Sequence, residues 1–236
     1  MIHDPNNYLL ENSTMKNKRT TNGTLTTKER IFEASVNLFS QKGFDAVSMR
    51  EIGREVGIRE SSIYNHYKNK DAILESIVNH LIDQLGAMSL TEEEMDVLIS
   101  ESPELFFETG SREFFNGMSD PKTEKIWRIL SIEVFHNENI KAFFVNQLLE
   151  SPINEWEKIF TKMMKKGIIK EYDPRILARE YFSFALYLFF EYFILKYDTK
   201  YSSFTDMAYK KMIDHTNFIL DSVKVESNKN SNHKKV

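Results

Sequence analysis

The chain has 236 residues, of which 41% are hydrophobic and 28% are charged, a composition typical of a globular protein with one large or two small domains. It contains no cysteine, so disulfides and thiolate metal sites are excluded and a reducing, cytoplasmic location is expected. It has only eight glycines and five prolines, and strand-like alternation is weak throughout. The sequence therefore predicts an all-α fold.

The net charge of −4 is unevenly distributed. Residues 1–70 carry 11 Lys and Arg against 8 Asp and Glu, whereas residues 71–223 carry 16 against 26. A weakly basic N-terminal segment followed by an acidic remainder is typical of a protein that contacts a polyanion with one end only. The longest apolar stretch, residues 181–195, is about five residues too short to span a bilayer and contains Glu191, so it is predicted to be a core or interface helix and no membrane partner is expected.

Residues 1–25 are polar and basic near their middle, which predicts a flexible N-terminal arm. Met15 is an alternative to Met1 as the natural start. The last segment, residues 226–236, is also predicted to be disordered from its composition.

A helix-turn-helix is predicted between Val47 and Lys70. Ser48 and Glu51 have the spacing of a capping box, and Gly57 suits the left-handed residue that ends a helix. A second short helix follows the glycine. Two short helices joined in this way place the second one in the DNA major groove. With an earlier helix, the pattern predicts a three-helix unit with helices at about 26–42, 48–56 and 60–67.

The rest of the chain is predicted to be helical, for a total of about nine to ten helices. A long helix should follow Asn69, and Asp-Pro pairs signal two later helix starts. A helix or helix pair over 139–166 should be interrupted near Ser151-Pro152. The last two helices are expected at about 174–197 and 204–224.

The segment from Thr26 to Leu85 resembles the tetracycline-repressor (TetR) family of bacterial transcriptional regulators. The resemblance rests on the helix lengths, the glycines and the run YNHYKNK at Tyr64–Lys70, followed by a long helix. It implies a DNA-binding domain at 26–70 and a larger helical effector-binding and dimerisation domain at 71–225. No catalytic residue, cofactor or metal is expected, and a helical enzyme is disfavoured because no nucleophile–base pair, phosphate loop or ligand spacing is visible.

The resemblance also implies DNA contacts at particular positions. Ser48 and Lys70 resemble phosphate-binding residues at helix N-termini, and the start of the second helix should meet base edges. The predicted DNA-binding residues are Ser48, Arg50, Arg59, Glu60, Ser61, Ser62, Tyr64, His66 and Lys70. Arg59 departs from the family pattern, which has a small capping residue there, and Gly53 replaces the usual Ala, which should allow close approach of the second helix.

The resemblance further implies a homodimer formed by the helices at about 174–197 and 204–224, bound to a near-palindromic operator in double-stranded DNA. A small hydrophobic or aromatic effector is expected to release the repressor. The predicted ligand-binding residues are Phe107, Phe115, Trp127, Glu133, His136, Phe144, Tyr187 and Glu191. Aromatic residues at helical spacing also suit a plain core, and the alternative function is a DNA-binding regulator without a small-molecule effector.

Overall fold

A computed structural model describes residues 25–87, 90–118, 120–196 and 201–225. Within these ranges the chain forms eleven α-helices and two π-helical segments, which join into ten continuous helices, and no strand. The prediction of an all-α fold with nine to ten helices is therefore confirmed. The predicted arm, apart from residue 25, and the predicted tail lie outside the described residues.

The helices are designated α1–α11 in chain order, with two π-helical segments designated π1 and π2. Their bounds are α1 Thr27–Lys42, α2 Met49–Val56, α3 Glu60–Ile63, α4 Lys70–Ala87, α5 Glu92–Glu101, α6 Pro103–Met118, α7 Pro121–Glu133, α8 Glu138–Phe143, π1 Phe144–Glu150, α9 Ser151–Lys165, α10 Pro174–Phe189, π2 Phe190–Leu195 and α11 Tyr201–Ser222. The segments α8, π1 and α9 form one continuous rod, and π2 continues α10.

Capping residues begin the first helices much as the sequence predicts. Thr26 and Glu29 form a complete capping box at α1. Ser48 caps α2 by accepting the Glu51 N–H at 3.2 Å. The box predicted there is only half formed, because the Glu51 carboxylate lies 2.5 Å from the Lys42 ammonium instead.

The helix containing Pro152 is not interrupted where the sequence predicts a break. The rod runs from Glu138 to Lys165 through the proline, and the irregularity is the π-helical segment immediately before it. Proline removes one backbone donor and crowds the carbonyl four residues earlier. The wider π turn changes the hydrogen-bond register ahead of the proline, so the rod continues instead of ending.

The helix α7 connects the N-terminal three-helix unit to the rest of the molecule. It packs against both α1 and α4. The Lys122 ammonium lies 2.5 Å from the Glu33 carboxylate on α1, and the Gln84 amide on α4 donates to the Thr123 hydroxyl at 2.9 Å. A displacement of α7 therefore acts directly on the helices that hold the helix-turn-helix.

The helices after α7 form a second packed layer. Helix α10 packs against α9 and α11, and α11 packs against α6. None of the helices in the described ranges is long and apolar enough to cross a membrane.

Candidate DNA-binding surface and effector domain

The helix-turn-helix buries one side and exposes the other. Met49, Ile52 and Val56 on α2, and Ile63 and Tyr67 around α3, are buried in the core. The predicted DNA-binding residues lie on the opposite side, all of them exposed except Ser62 and Lys70, which are half-buried. This arrangement leaves the α2 N-terminus and the α3 surface accessible to a duplex.

Gly53 sets the distance between α2 and α3. A Cβ at this position would lie 3.0 Å from the Ile58 carbonyl oxygen and 3.4 Å from the Glu60 nitrogen. Gly57 then takes a φ of 75°, the left-handed conformation that glycine favours. The expected close approach at Gly53 is confirmed.

The recognition helix α3 is shorter than predicted. Its α-helical part spans only Glu60–Ile63, and residues 64–66 continue it as a tight turn. The backbone N–H groups of His66 and Tyr67 both donate to the Ile63 carbonyl, at 2.8 and 3.0 Å. Arg59 stands at the N-cap without a side-chain cap, as its chemistry requires, and its guanidinium is exposed.

Each of the two tyrosines at the recognition turn has a charged neighbour. The Tyr64 hydroxyl lies 3.5 Å from the Glu60 carboxylate, at the outer limit of a hydrogen bond. The Lys28 ammonium lies 5.5 Å from the centre of the Tyr67 ring. Lys28 is exposed, and it is a cation beside the recognition turn that the sequence reasoning missed. Its sequence signal is its place in the first turn of α1.

The structure assigns Lys70 a different environment from the predicted phosphate contact. Its ammonium donates to the Phe44 and Val47 carbonyls at 2.7 and 2.9 Å, with the Asp45 carbonyl at 3.4 Å. It also lies 4.2 Å from the centre of the Phe44 ring. Lys70 thus holds the turn between α1 and α2, which leads directly into Ser48.

Glu133 holds the same turn from the other side. It is 5% exposed and accepts the Phe44 backbone N–H, with Asp45, His136 and Lys70 as charged neighbours. Burial raises the pKa of the Glu133 carboxyl, and the hydrogen bond and the cations partly offset this. Glu133 and the exposed His136 therefore lie at the junction with the DNA-binding helices, and their ligand-orienting role stays a prediction.

Glu191 is paired with two lysines. Its carboxylate lies 2.5 Å from the Lys196 ammonium and 2.9 Å from the Lys211 ammonium. These two hydrogen bonds lower the pKa of Glu191 to about 2. The residue therefore connects π2 to α11, and its contact with a ligand stays a prediction.

The predicted aromatic pocket residues all contact other aromatic rings. Phe107 packs against Trp156 and Tyr181, with ring centroids 5.5 and 5.2 Å away. Trp127 contacts Phe144 at 6.2 Å in a second group. Phe115 packs against Phe114, and Tyr187 is half exposed on the outer side of α10. Tyr187 joins the Phe107 group through Phe184, His215 and Tyr181.

Helices α10 and α11, with π2, carry large hydrophobic residues that are exposed, here called their apolar face. Its large exposed hydrophobic residues are Ile176, Tyr187, Phe190, Leu195, Met207 and Phe218. Phe218 is the most exposed of these, at 71%. A large unpartnered apolar patch is typical of an interaction surface.

The fold and this surface define an all-helical protein with an N-terminal helix-turn-helix. Residues 31–77 match the family described as "Bacterial regulatory proteins, tetR family". The N-terminal part of the chain therefore carries a domain of the TetR family.

Two bacterial relatives match part of the chain. The chain is 30% identical over 125 residues to the uncharacterized HTH-type transcriptional regulator YerO of Bacillus subtilis, covering 52% of this chain and 42% of YerO. It is 37% identical over 62 residues to the biofilm operon negative regulator IcaR of Staphylococcus epidermidis, covering 25% of this chain and 34% of IcaR. The chain thus spans well under half the length of these relatives.

Solved structures share the fold over most of the chain. A TetR-family transcriptional regulator from Mesorhizobium loti superposes with a TM-score of 0.63 at 18% identity, covering 84% of this chain and 97% of that one. SmeT, the repressor of a Stenotrophomonas maltophilia multidrug efflux pump, solved in complex with triclosan, gives a TM-score of 0.60 at 16% identity, covering 85% and 93%. At these identities the likeness establishes the fold.

Proposed function

We propose that this protein is a dimeric DNA-binding repressor that a small effector releases from its operator. The observation that carries the proposal is the helix-turn-helix with its core side buried and its polar side exposed, in a segment that matches the TetR family. The relative IcaR is a negative regulator and SmeT is a repressor, which supports repression as the activity. The division into a DNA-binding domain at 26–70 and an effector domain at 71–225 is part of this proposal.

The DNA contacts follow from helix ends and exposed side chains. Ser48 and the free N–H groups at the α2 N-terminus bind a phosphate, because a helix N-terminus favours an anion. Arg50 and Lys28 add exposed cations, while Ser62 and Tyr64 meet base edges in the major groove. The remaining predicted contacts are Arg59, Glu60, Ser61 and His66, which are all exposed around α3.

Dimerisation places two recognition helices on one duplex. The apolar face of α10 and α11 is the proposed contact between subunits, since its exposed side chains are otherwise in water. Two-fold symmetry then predicts half-sites about one DNA turn apart, or a multiple of it, in a near-palindromic operator.

Release acts through the turn between α1 and α2. Lys70 and Glu133 hold this turn from α4 and α7, and Ser48 follows it directly. An effector that favours a shifted position of α7 or α4 therefore moves the phosphate-binding N-terminus of α2. A ligand shifts the equilibrium only by the difference in its binding free energy for the two positions of the helix. A difference of a few kcal/mol is enough to release the protein from its operator.

Selection of a duplex from a random-sequence pool, followed by fluorescence anisotropy with the selected duplex, tests DNA binding. We expect two chains per duplex and a palindromic site. Ser62→Ala should change base preference at one position of each half-site, whereas the matched control Ser100→Ala on α5 should change nothing. A pool that yields no enriched sequence refutes sequence-specific binding.

A thermal-shift screen tests the effector part separately. The compounds are lipophilic cations, fatty acyl groups and aromatics, and each compound that stabilises the protein is then added to the anisotropy assay. We expect at least one to release the duplex. If none does while specific DNA binding persists, the protein is a regulator without a small-molecule effector.

A further inference from the structure

Helix α7 carries two buried polar atoms without a hydrogen-bond partner in the described part of the chain. They are the indole Nε1 of Trp127 and the hydroxyl oxygen of Ser131. Trp127 is only 1% exposed. Residues four apart lie on the same face of a helix, so the two groups share one side of α7. Each unpaired buried polar group in a native protein is costly and calls for an explanation.

Ser131 differs in its bonding from other helical serines of this protein. Ser35, Ser100 and Ser183 each donate to the carbonyl four residues earlier, at 2.7, 2.7 and 2.6 Å. This bond is the usual way for a serine inside a helix to satisfy its hydroxyl. Ser131 does not make it with the Trp127 carbonyl. Its hydroxyl is therefore available to a group outside the helix.

Aromatic rings surround Trp127. Its ring centroid lies 4.8 Å from Phe189, 6.2 Å from Phe143 and Phe144, and 6.3 Å from Phe193. Phenylalanine rings offer no oxygen or nitrogen acceptor to the indole N–H. They offer apolar faces and edges, which bind flat ring systems by stacking and edge-to-face contact.

The two π-helical segments of the described chain both border this group of rings. Phe144 is the first residue of π1, and Phe189 immediately precedes π2, which contains Phe193. A π-helical turn is less favourable than an α-helical one and occurs frequently at functional sites. This backbone observation is independent of the unpaired atoms, and it points to the same place.

We propose that Trp127 and Ser131 form an effector subsite for a flat, uncharged aromatic molecule with a carbonyl or phenolic oxygen. The oxygen accepts from the Trp127 Nε1–H and the Ser131 hydroxyl, while the ring lies against the phenylalanines. The proposal rests on the proposed function, because it names the chemical class of the effector.

Charge on the same side of α7 limits the ligand class. Glu124 lies three residues before Trp127 and seven before Ser131, so it shares their face. Burial raises the pKa of the Glu124 carboxyl, and Arg128 and Lys125 partly offset this. A carboxyl on the same face of α7 disfavours a carboxylate ligand at the subsite.

The subsite lies close to the junction with the DNA-binding helices. Ser131 precedes Glu133 by two residues on α7, and Glu133 accepts the Phe44 N–H. A ligand oxygen that accepts hydrogen bonds from Ser131 and Trp127 therefore acts on the end of α7 that holds the α1–α2 turn. Occupancy of the subsite and the position of α2 are linked through one helix.

Indole NMR of the full-length protein tests the subsite directly. The chain has two tryptophans, and Trp156→Phe assigns the remaining indole N–H signal to Trp127. The probes are 2-acetylnaphthalene and 2-isopropylnaphthalene, which have nearly the same shape but only the first has an acceptor oxygen. We expect the ketone to shift the Trp127 N–H proton downfield and to bind roughly tenfold more tightly than the hydrocarbon, as two neutral hydrogen bonds allow.

Ser131→Ala and its matched control complete the experiment. Ser131→Ala should reduce the preference for the ketone to roughly threefold, since one hydrogen bond remains. Ser183→Ala on α10 should leave the preference unchanged. The proposal is overturned if the two probes bind equally or if neither binds. It is also overturned if the Trp127 N–H signal does not move when the ketone is added, because the indole then bonds only to water.

The outcomes separate this proposal from the proposed function. If the ketone does not bind but another compound from the screen releases the operator, the repressor stands and the subsite is wrong. If the ketone binds as expected but leaves the operator occupied, the subsite is a binding site without an effector role, and the proposal also fails.

Discussion

Replacing Lys70 with methionine distinguishes a structural lysine from a phosphate-binding one. The ammonium makes two short hydrogen bonds to carbonyls, at 2.7 and 2.9 Å, and lies 4.2 Å from the Phe44 ring centre. Hydrogen bonds to a charged group contribute about 1.5–3 kcal/mol each when buried, and an exposed cation–π contact about 0.5–1 kcal/mol. Lys70 is only half-buried, so we expect Lys70→Met to lower the free energy of unfolding by about 2 kcal/mol.

Two measurements follow from this estimate. For a chain of this size, about 2 kcal/mol corresponds to a Tm lower by roughly 4–8 °C in a thermal melt. In the anisotropy titration, operator affinity should fall because the α2 N-terminus is less well placed. The slope of log affinity against log salt should not change, because Lys70 releases no counterion from a phosphate.

Lys28→Met is the matched control for this experiment. Lys28 is exposed and its one reported contact is the Tyr67 ring, so its loss should lower the Tm less than Lys70→Met does. It should reduce the salt slope by about 0.9 for each phosphate contact, or about 1.8 for the two subunits of a dimer. The reasoning is refuted if Lys70→Met keeps the wild-type Tm and lowers the salt slope as Lys28→Met does. Lys70 is then a phosphate contact, as the sequence alone predicts.

Three further predictions concern packing, charge and assembly. Gly53→Ala should lower the Tm, because the new Cβ would lie 3.0 Å from the Ile58 carbonyl, although alanine favours a helix by about 1 kcal/mol over glycine. Gly110→Ala should raise the Tm, because a Cβ there meets nothing within 4 Å. Equal effects of the two substitutions contradict the close-approach argument. The pKa of Glu133 is raised in the folded protein. The free energy of unfolding should therefore fall as the pH rises from the ordinary glutamate pKa, about 4.3, through the higher folded value. Glu133→Gln should remove this pH dependence in chemical unfolding. Parallel profiles for the two proteins are the contrary result. Phe218→Lys should place a charge in the proposed dimer face and yield monomers by sedimentation, whereas a dimer that persists excludes that face.

Most of the fold could be predicted because its signals are local. A capping residue and the backbone donor it satisfies are three positions apart, as for Thr26 and Glu29, and a left-handed glycine such as Gly57 ends a helix by itself. The helix-turn-helix and its exposed surface follow from such signals and from apolar spacing. Where local signals compete, the sequence misleads, as at Pro152, where a preceding π segment keeps the rod continuous.

The candidate site was less predictable from sequence because its key groups pair over long distances in the chain. Lys70 reaches carbonyls more than twenty residues away, and Glu191 pairs with Lys211 twenty residues later. A titratable side chain inside an apolar helix looks the same in sequence whether it faces a ligand or a partner charge. Burial and partners decide which, and both are set by the packing of helices.

The sequence by itself determined the helical class, the helix-turn-helix and the likeness of this segment to the TetR family, since propensities, caps and motif spacing act within a few residues. Only the tertiary structure decided that Lys70 and Glu133 hold the turn before Ser48, and that Trp127 and Ser131 remain unpaired. The physical reason is that hydrogen-bond satisfaction depends on which helices lie within about 3 Å of a donor. That proximity is fixed by the packing of α7 against α1 and α4.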